Sequence, residues 1–386
     1  MVHVTAYFAP AFGFGGPPHS ILALCQALPS VGVDVEVFTT TANVGGELDA
    51  HVGGTSYEGV ATRYFPLRSP RFLLAGRGLP TALMTAAADA DLIHLHGLFN
   101  ATSWAAARVA RRANLPVVLS ARGMLEPAAV AHHRMRKRAA WRLFDRRTVR
   151  DAALIHTTSP GEQQTIVASW PEKPIVQIPN PVAMRADPIG PREQSDLRER
   201  LAIPRDRRIA LFLGRLHPIK RLDLLARAFE QVAASMPDLD VVIAGEAPGF
   251  DRRPIIAAAG DAASRVRWVG AVYGRERDVL LSTASALVLC SDSENFGMSV
   301  AEALAAGVAP VVTQTCPWSV LQEEAVGYWV PQTAAAIAAG LTAALQAAPD
   351  MTLRQRRQAV AHRLFAGDVI AHQWRATYDA VLSGAR

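Results

Sequence analysis

Residues 286–313, ALVLCSDSENFGMSVAEALAAGVAPVVT, decide the fold. Ala286–Leu289 is an unbroken apolar run, Met298–Ala306 reads as a helix, and Ala309–Thr313 is a second apolar run. A strand without polar alternation is covered on both faces, and a helix between two such strands is the crossover of a parallel sheet. The same unit recurs on either side. Further strands are predicted at Ile209–Leu213, Leu239–Ala244 and Val266–Val269, with helices near Leu222–Ala234, Pro254–Ala263 and Arg275–Thr283. An earlier series has strands at Val2–Phe8, Val33–Thr39, Leu92–Leu95, Val117–Ser120, Leu154–Thr157 and Ile175–Ile178. Its helices fall near Pro18–Leu28, Ser103–Ala113, Arg134–Val149 and Pro160–Ala168. Two such series predict an α/β chain with two Rossmann-like, doubly wound domains. Pro179-Asn180-Pro181, followed by Pro188, Gly190 and Pro191, is a stiff turn-rich stretch and sets the boundary. The domains are then 1–182 and 183–367. A last helix within 368–386 either returns to the first domain or does not; periodicity leaves both open.

Composition narrows the function classes. The chain has 386 residues, half of them hydrophobic, which excludes whole-chain disorder. Cys25, Cys290 and Cys316 form no C-x-x-C pair, so neither a disulfide framework nor a structural zinc site is expected, and a reducing, cytoplasmic compartment fits. Met1–Phe8 has no charged leader character and reads as a strand, so no signal peptide is expected. The uncharged stretch 325–349 is interrupted by Pro331 and rich in alanine, which predicts a soluble helix in place of a membrane span. The net charge is +6, and only Lys137, Lys173 and Lys220 among the 40 basic residues are lysine. That arginine surplus is largely compositional, and without a recognition module it does not point to nucleic acid. Its distribution is uneven: His132–Arg150 carries Arg134, Arg136, Lys137, Arg138, Arg142, Arg146, Arg147 and Arg150 against Asp145 alone, with Trp141, Leu143 and Phe144 interleaved. Such a segment reads either as a solvated helix face or as a surface for anionic lipid.

Ligands of open parallel sheets bind beyond the carboxyl ends of the strands, so the loops there carry the chemistry. The first, Ala9–Pro18, places Gly13, Gly15 and Gly16 before a helix. It is either a plain turn or a close backbone approach to an anion, and Pro18 breaks the G-x-G-x-x-G dinucleotide fingerprint. The second, Gly214-Arg215-Leu216-His217-Pro218-Ile219-Lys220, is a basic turn in which Arg215 could clamp a phosphate and Lys220 adds a compact charge. The third, Glu294-Asn295-Phe296-Gly297-Met298-Ser299-Val300-Ala301-Glu302, sets helix N-terminal amides between two carboxylates. Acids there either complement the helix dipole or accept hydrogen bonds from sugar hydroxyls.

Arg215 and Lys220, then E-x7-E at Glu294 and Glu302, after a glycine-rich first turn, resemble the GT-B glycosyltransferases of family GT4. His94-Leu95-His96-Gly97 resembles that family's H-x-H-G segment. Ser120-Ala121-Arg122-Gly123-Met124-Leu125-Glu126-Pro127 resembles a segment of bacterial polysaccharide-assembly members, and Ile178-Pro179-Asn180-Pro181-Val182 resembles the family hinge. Two departures stand out: Pro181 replaces a glycine, stiffening the hinge, and Ala121 replaces a proline. The resemblance implies the GT-B fold, with two domains facing a central cleft, and retaining transfer of a hexose-type sugar from a UDP- or GDP-linked donor to a saccharide or lipid-linked saccharide in bacterial surface-polysaccharide synthesis. By the same resemblance Glu302 binds ribose and Arg215 and Lys220 neutralise the diphosphate. Gly15 and Gly16 amides approach it from the first domain. Glu294 and the amides of Phe296, Gly297 and Met298 hold the donor sugar. His96, with His94 as alternative, lies near the reaction centre, Arg122 is on the acceptor side, and Trp268–Gly270 meets the base. No cofactor or metal is implied: Asp238-Leu239-Asp240 opens a strand and reads as structural, and Asp292-Ser293-Glu294 already has a role. Arg134, Arg136, Lys137, Arg138 and Arg142 would face an anionic membrane, making the protein cytoplasmic or peripheral on the inner membrane face. Two other readings stand beside this one: a GT-B epimerase or phosphorylase, and a noncatalytic nucleotide-sugar-binding scaffold.

Overall fold

The computed structural model describes residues 1–49, 53–126, 134–184, 189–247 and 249–384, with the backbone alone for Arg134. The chain divides into two compact units, Met1–Pro181 with Gly367–Arg386, and Val182–Ala366.

In the first unit the main sheet contains β1 (Val2–Thr5), β2 (Glu36–Thr40), β3 (Gly53–Tyr57), β4 (Val60–Phe65), β5 (Ile93–His96), β6 (Val117–Ser120), β7 (Leu154–Thr157) and β8 (Ile175–Gln177). Their spatial order is β8-β7-β6-β5-β1-β2-β4-β3, parallel throughout except that β3 runs antiparallel to β4. β1, β5 and β6 are buried along their whole length, so the polar residues His3, Thr5, His94, His96 and Ser120 are covered along with the apolar ones, as in a sheet covered on both faces. The β3–β4 hairpin was not legible in the sequence: β3 is Gly-Gly-Thr-Ser-Tyr and largely uncovered. Helices α1 (Gly16–Ala27), α2 (Ala101–Ala113) and α3 (Pro160–Ser169) flank the sheet. The N-terminal strand expectation ran too long, because the chain turns after Thr5 toward the glycine-rich loop.

Six parallel strands form the second unit: β9 (Arg208–Leu213), β10 (Leu239–Ala244), β11 (Val266–Gly270), β12 (Ala286–Leu289), β13 (Ala309–Thr313) and β14 (Tyr328–Val330). Their order is β11-β10-β9-β12-β13-β14, the Rossmann order, in which direction reverses between β9 and β12. Helix α4 (Gly274–Thr283) precedes β12 and α5 (Met298–Ala305) follows it. The core joins Leu211, Phe212, Val242, Ile243, Leu287 and Val288 of the strands to helix residues Phe229, Leu280 and Leu304.

Helix α6 (Gly367–Gly384) belongs to the first unit. Its Ile370, Trp374 and Tyr378 are buried with Leu28, Leu92, Val118 and Ile178. No helix among the described residues is long and apolar enough to cross a membrane.

Candidate active site

In an open parallel sheet the crevice lies where strand order reverses. In the second unit the loops at that place follow β9 and β12, and they carry Lys220 and Glu294. The two loops are tied together: Asp292 N–H donates to the Ile219 carbonyl at 2.8 Å, and His217 Nδ1 accepts from Ile219 N–H at 3.2 Å, capping the short turn that ends at Lys220. Lys220 Nζ forms an ion pair with Glu294 Oε2, and Ser291 Oγ donates to the same oxygen at 3.2 Å. The side chains retain 15% and 17% of their exposure, so both charges are shielded but reachable. Arg215, on the same loop as Lys220, is exposed.

Gly297 caps α5 at φ 87°, a left-handed conformation natural to glycine. Space forbids a side chain as well: a Cβ would sit 2.9 Å from Trp318 Nε1. That indole donates to the Phe296 carbonyl at 2.5 Å, holding the backbone immediately before the helix. Thr315 Oγ1 donates to the Ser291 carbonyl at 2.5 Å, bracing the other end of the loop. The first α5 amides, including Met298 and Ser299, lack intrahelical acceptors and point out of the N-terminus, a fit for an anion. Gly297→Ala should therefore cost about 1–3 kcal/mol, read as a lower urea midpoint. Gly297→Asn separates the causes: asparagine tolerates the left-handed backbone but keeps the Cβ, so it should be no better if contact with Trp318 dominates.

Glu302 lies one turn inside α5, where its carboxylate pairs with Arg277 of α4. Arg277 was not singled out in the sequence, since nothing in the spacing of α4 marks one arginine among many. At the neighbouring strand ends, Gly245 is so close to the Gly214 carbonyl that a Cβ would stand 1.9 Å from its oxygen. Gly245 N–H donates to the Gly270 carbonyl at 2.7 Å, which links the Trp268–Gly270 segment to β10. Asp240 is fully buried and paired with Arg207, at 2.6 Å, and with Arg267, so Asp238-Leu239-Asp240 is a structural element.

The first unit reverses its strand order between β1 and β5, and the glycine-rich loop and the His96-Gly97 turn meet that place. Gly15 has φ 93° and caps α1, but its N–H donates to the Phe12 carbonyl at 2.9 Å. The expectation that both glycine amides face a phosphate thus narrows to Gly16, the first residue of α1.

His96 is buried, and both ring nitrogens are engaged. Arg122 Nε donates to His96 Nδ1 at 3.3 Å, which leaves the proton on Nε2, 3.0 Å from His3 Nδ1. Arg122, at φ 53°, also reaches Ser20 Oγ at 2.8 Å and Asn180 Oδ1 at 3.3 Å. It therefore joins the β6 loop to α1 and to the segment that ends the first unit at Pro181, and burial pushes its guanidinium down to about 10. His94 belongs to a second chain with α6. His156 Nε2–H donates to the Ile178 carbonyl at 2.8 Å, so its Nδ1 accepts from Ser120 O–H at 2.7 Å. Ser120 Oγ then accepts from His94 Nε2–H at 2.7 Å, and His94 Nδ1 accepts from Tyr378 O–H at 2.8 Å. Every partner is satisfied with neutral rings.

His3, His94 and His96 place ring nitrogens within 4.8 Å of one another, the geometry of a metal cluster. Their bonding argues against one. His94 has both nitrogens occupied, His96 Nδ1 is an acceptor for Arg122, and an added cation would sit beside the buried guanidinium.

The basic segment forms one helical run: α-helical at Arg134–Ala140, a π segment at Trp141–Asp145, and α-helical again at Arg146–Asp151. Arg136, Arg138, Arg142, Arg146, Arg147 and Arg150 are exposed and Lys137 is half-buried. His132, His133, Pro127 and the Arg134 side chain lie outside the described residues. The surface differs from expectation in three residues. Asp145 is fully buried, accepting from Phe99 N–H and Trp104 Nε1–H, both at 3.1 Å, and burial raises its carboxyl to about 6. Phe144 stacks on Trp104 at 4.4 Å, and Trp141 packs near Trp170 at 6.2 Å. Trp141, Phe144 and Asp145 recur at i, i+3 and i+4 with the buried Thr148 and Val149, so they share the inward face of the helix, leaving Met135 and Leu143 as its exposed large apolar groups among the described residues.

Two family models match, Glycosyl transferase 4-like domain over residues 15–181 and Glycosyl transferases group 1 over residues 193–361. A D-inositol 3-phosphate glycosyltransferase of Streptomyces scabiei is 28% identical over 413 residues, covering 100% of this chain and 91% of the relative. Among solved structures, sucrose-phosphate synthase from Thermosynechococcus elongatus superposes with a TM-score of 0.73 at 21% identity, over 99% of both chains. Anabaena Alr3699/HepE in complex with UDP and glucose gives 0.71 at 17%, over 98% of this chain and 99% of that one. The structural likenesses establish the fold, and the matched models establish the lineage: the chain belongs to the glycosyl transferases group 1 family, of GT4 type, and is a glycosyltransferase of GT-B fold.

Proposed function

We propose that the protein is a retaining, metal-independent hexosyltransferase. It takes sugar from a UDP- or GDP-linked donor and passes it to a saccharide or lipid-linked saccharide of a bacterial surface polysaccharide. The observation that carries the donor half is the arrangement around α5 in the second unit. There a helix N-terminus and two carboxylates, each held by its own cation, occupy the place where strand order reverses. Cations and amides suit a diphosphate; carboxylates suit hydroxyls. In this reading Glu302, oriented by Arg277, takes the ribose. Donor entry opens the Lys220–Glu294 pair: Lys220 turns with Arg215 to the diphosphate, and Glu294 accepts from sugar hydroxyls beside the Phe296, Gly297 and Met298 backbone. The anomeric C–O bond to the diphosphate breaks as the acceptor oxygen bonds to the same carbon on the same face. The acceptor proton passes to the departing phosphate oxygen, and the cations stabilise the charge developing there. With those cations in place no metal is called for. The surface-polysaccharide assignment is supported by the Ser120–Leu125 segment, and Arg122, His96 and the Gly16 turn belong to the first unit's share of the reaction.

A thermal-shift panel of nucleotide sugars in EDTA tests this. The matching donor at about 100 times its Kd should stabilise by about 2.7 kcal/mol. A panel with no stabilising member, or stabilisation only with added divalent metal, overturns the donor or the metal part respectively. A product of inverted anomeric configuration by NMR would sink the retaining part.

A further inference from the structure

The first unit holds a cavity that the donor chemistry does not use. It has a volume of about 190 Å³, and Phe99, Leu125, Trp141, Ile166 and Trp170 form its walls with Lys137 and Arg138. Phe99 stands three residues beyond His96, and Leu125 three beyond Arg122. The cavity therefore lies at the carboxyl ends of two adjacent strands, β5 and β6, where this sheet type binds ligands.

Its walls are prebuilt. Phe99 sits at φ 58° with its N–H held by Asp145, and Asp145 is fully buried. Trp141 meets the Phe99 ring at 6.4 Å and the Trp170 ring at 6.2 Å. Lys137 Nζ lies 5.4 Å from the Phe99 ring centroid, and partial burial lowers its ammonium below the usual lysine range. Thr165 and Ser169 supply the remaining polar lining. Among the described residues no carboxylate or amide side chain lines the cavity, a poor match to a saccharide, whose hydroxyls need many paired partners. Rigid aromatic walls suit hydrocarbon, and the two cations suit an anion attached to it. The same helix continues this pairing outward: Met135 and Leu143 are 86% and 69% exposed among exposed arginines.

We propose that this cavity receives the proximal hydrocarbon of an anionic lipid acceptor, with the lipid phosphate held at Lys137 and Arg138. The inference rests on the transferase reading and narrows its acceptor to a lipid phosphate class. It differs from adsorption of a basic helix on a membrane, because it requires a saturable slot.

The probe is monododecyl phosphate below its micelle concentration, added to the full chain and followed by calorimetry and tryptophan fluorescence. Saturable 1:1 binding is expected, at least tenfold tighter than dodecyl maltoside or inorganic phosphate. Lys137→Gln with Arg138→Gln should weaken it by roughly tenfold or more. Thr165→Phe, which fills the slot, should abolish it; Ser169→Trp at the exposed rim provides the same test if Thr165→Phe lowers the melting temperature. Non-saturable uptake, equal binding of inorganic phosphate, or indifference to both the charge and the filling variants overturns the proposal. Nucleotide-sugar thermal shifts on the same samples separate the two readings. Donor stabilisation without dodecyl phosphate binding removes the lipid slot alone, whereas loss of donor stabilisation in the wild type removes the transferase reading.

Discussion

Lys220→Ala and Glu294→Ala are each expected to lower sugar transfer by about 10²–10³-fold, measured as product formed per enzyme at saturating donor and acceptor. Lys220 is one of three lysines against 37 arginines, so its presence at this turn is a departure from the chain's habit. An ammonium is a compact point charge that can swing between partners, whereas a guanidinium is a planar fork. The structure shows the partner it leaves: Glu294, with Ser291 Oγ already on the same oxygen. Removing either charge does two things, and they must be separated. It deletes a group that acts on the donor, and it leaves the other charge in a shielded site without its counterion, at a stability cost of about 1–2 kcal/mol. Lys220→Met with Glu294→Gln removes both charges together. The double variant should regain most of the lost thermal stability and remain inactive. Recovery of transfer in the double variant, or full activity in either single one, would remove the pair from the mechanism. Lys220→Arg should keep donor binding within a few-fold while kcat falls, because the charge persists and its placement does not.

The parts of this site that were legible in the sequence are those fixed by local rules. Apolar runs without alternation located β9, β12 and β13, and Gly297 before Met298–Ala306 marked a helix start. Once the strand order is known, the reversal between β9 and β12 accounts for the Lys220 and Glu294 loops lying side by side. What stayed hidden depends on contacts between distant segments. Arg277 meets Glu302 across two helices, Trp318 braces Phe296 from 22 residues away, and Gly245 approaches Gly214 between strands; none leaves a periodic trace. Gly15 shows the limit of motif reading. Its conformational role was visible, but whether its amide was available depended on the Phe12 carbonyl. The basic helix was misread for a related reason. Trp141, Phe144 and Asp145 share i, i+3, i+4 spacing with the buried Thr148 and Val149, so a helical period was present, but the aromatic rings that this face packs against, Trp104 and Trp170, lie on other elements. The hairpin of β3 and β4 escaped because an edge strand of glycine and hydroxyl residues carries little apolar signal.

Acid should unfold the first unit before the second, between about pH 6.5 and 5, and the cause is the histidine network. His3 and His156 are pushed down to about 3 by burial, and His94 and His96 also lie well below the ordinary histidine value for the same reason, with Arg122 adding repulsion. In the unfolded chain these rings take up protons as pH falls through about 6.5, while in the folded unit they remain neutral. Acidification therefore stabilises the unfolded form, and folding stability is lost at about 1.4 kcal/mol per pH unit for each histidine. Two groups act in the opposite sense. Burial raises Asp145 to about 6 and raises Glu162, so each binds a proton in the folded unit first and adds stability as pH falls toward the unfolded carboxylate value. Four histidines outnumber the two acids, so the net effect of acidification in this window is a loss of stability. In the second unit Asp223 and Asp238 are held down by Arg221 and Arg208, and the stability they contribute is lost only as pH falls below about 3.8. Two units losing stability at different pH would blur in a single melting curve; amide hydrogen exchange, corrected for intrinsic rates, resolves each. Between pH 7.5 and 5.0 protection should collapse in β1, β5, β6 and β7 and persist in β9, β10 and β12. His156→Gln should flatten the first unit's pH dependence by about one proton. Equal loss in both units, or an unchanged slope in that variant, would show that the buried rings are not what limits the unit in acid.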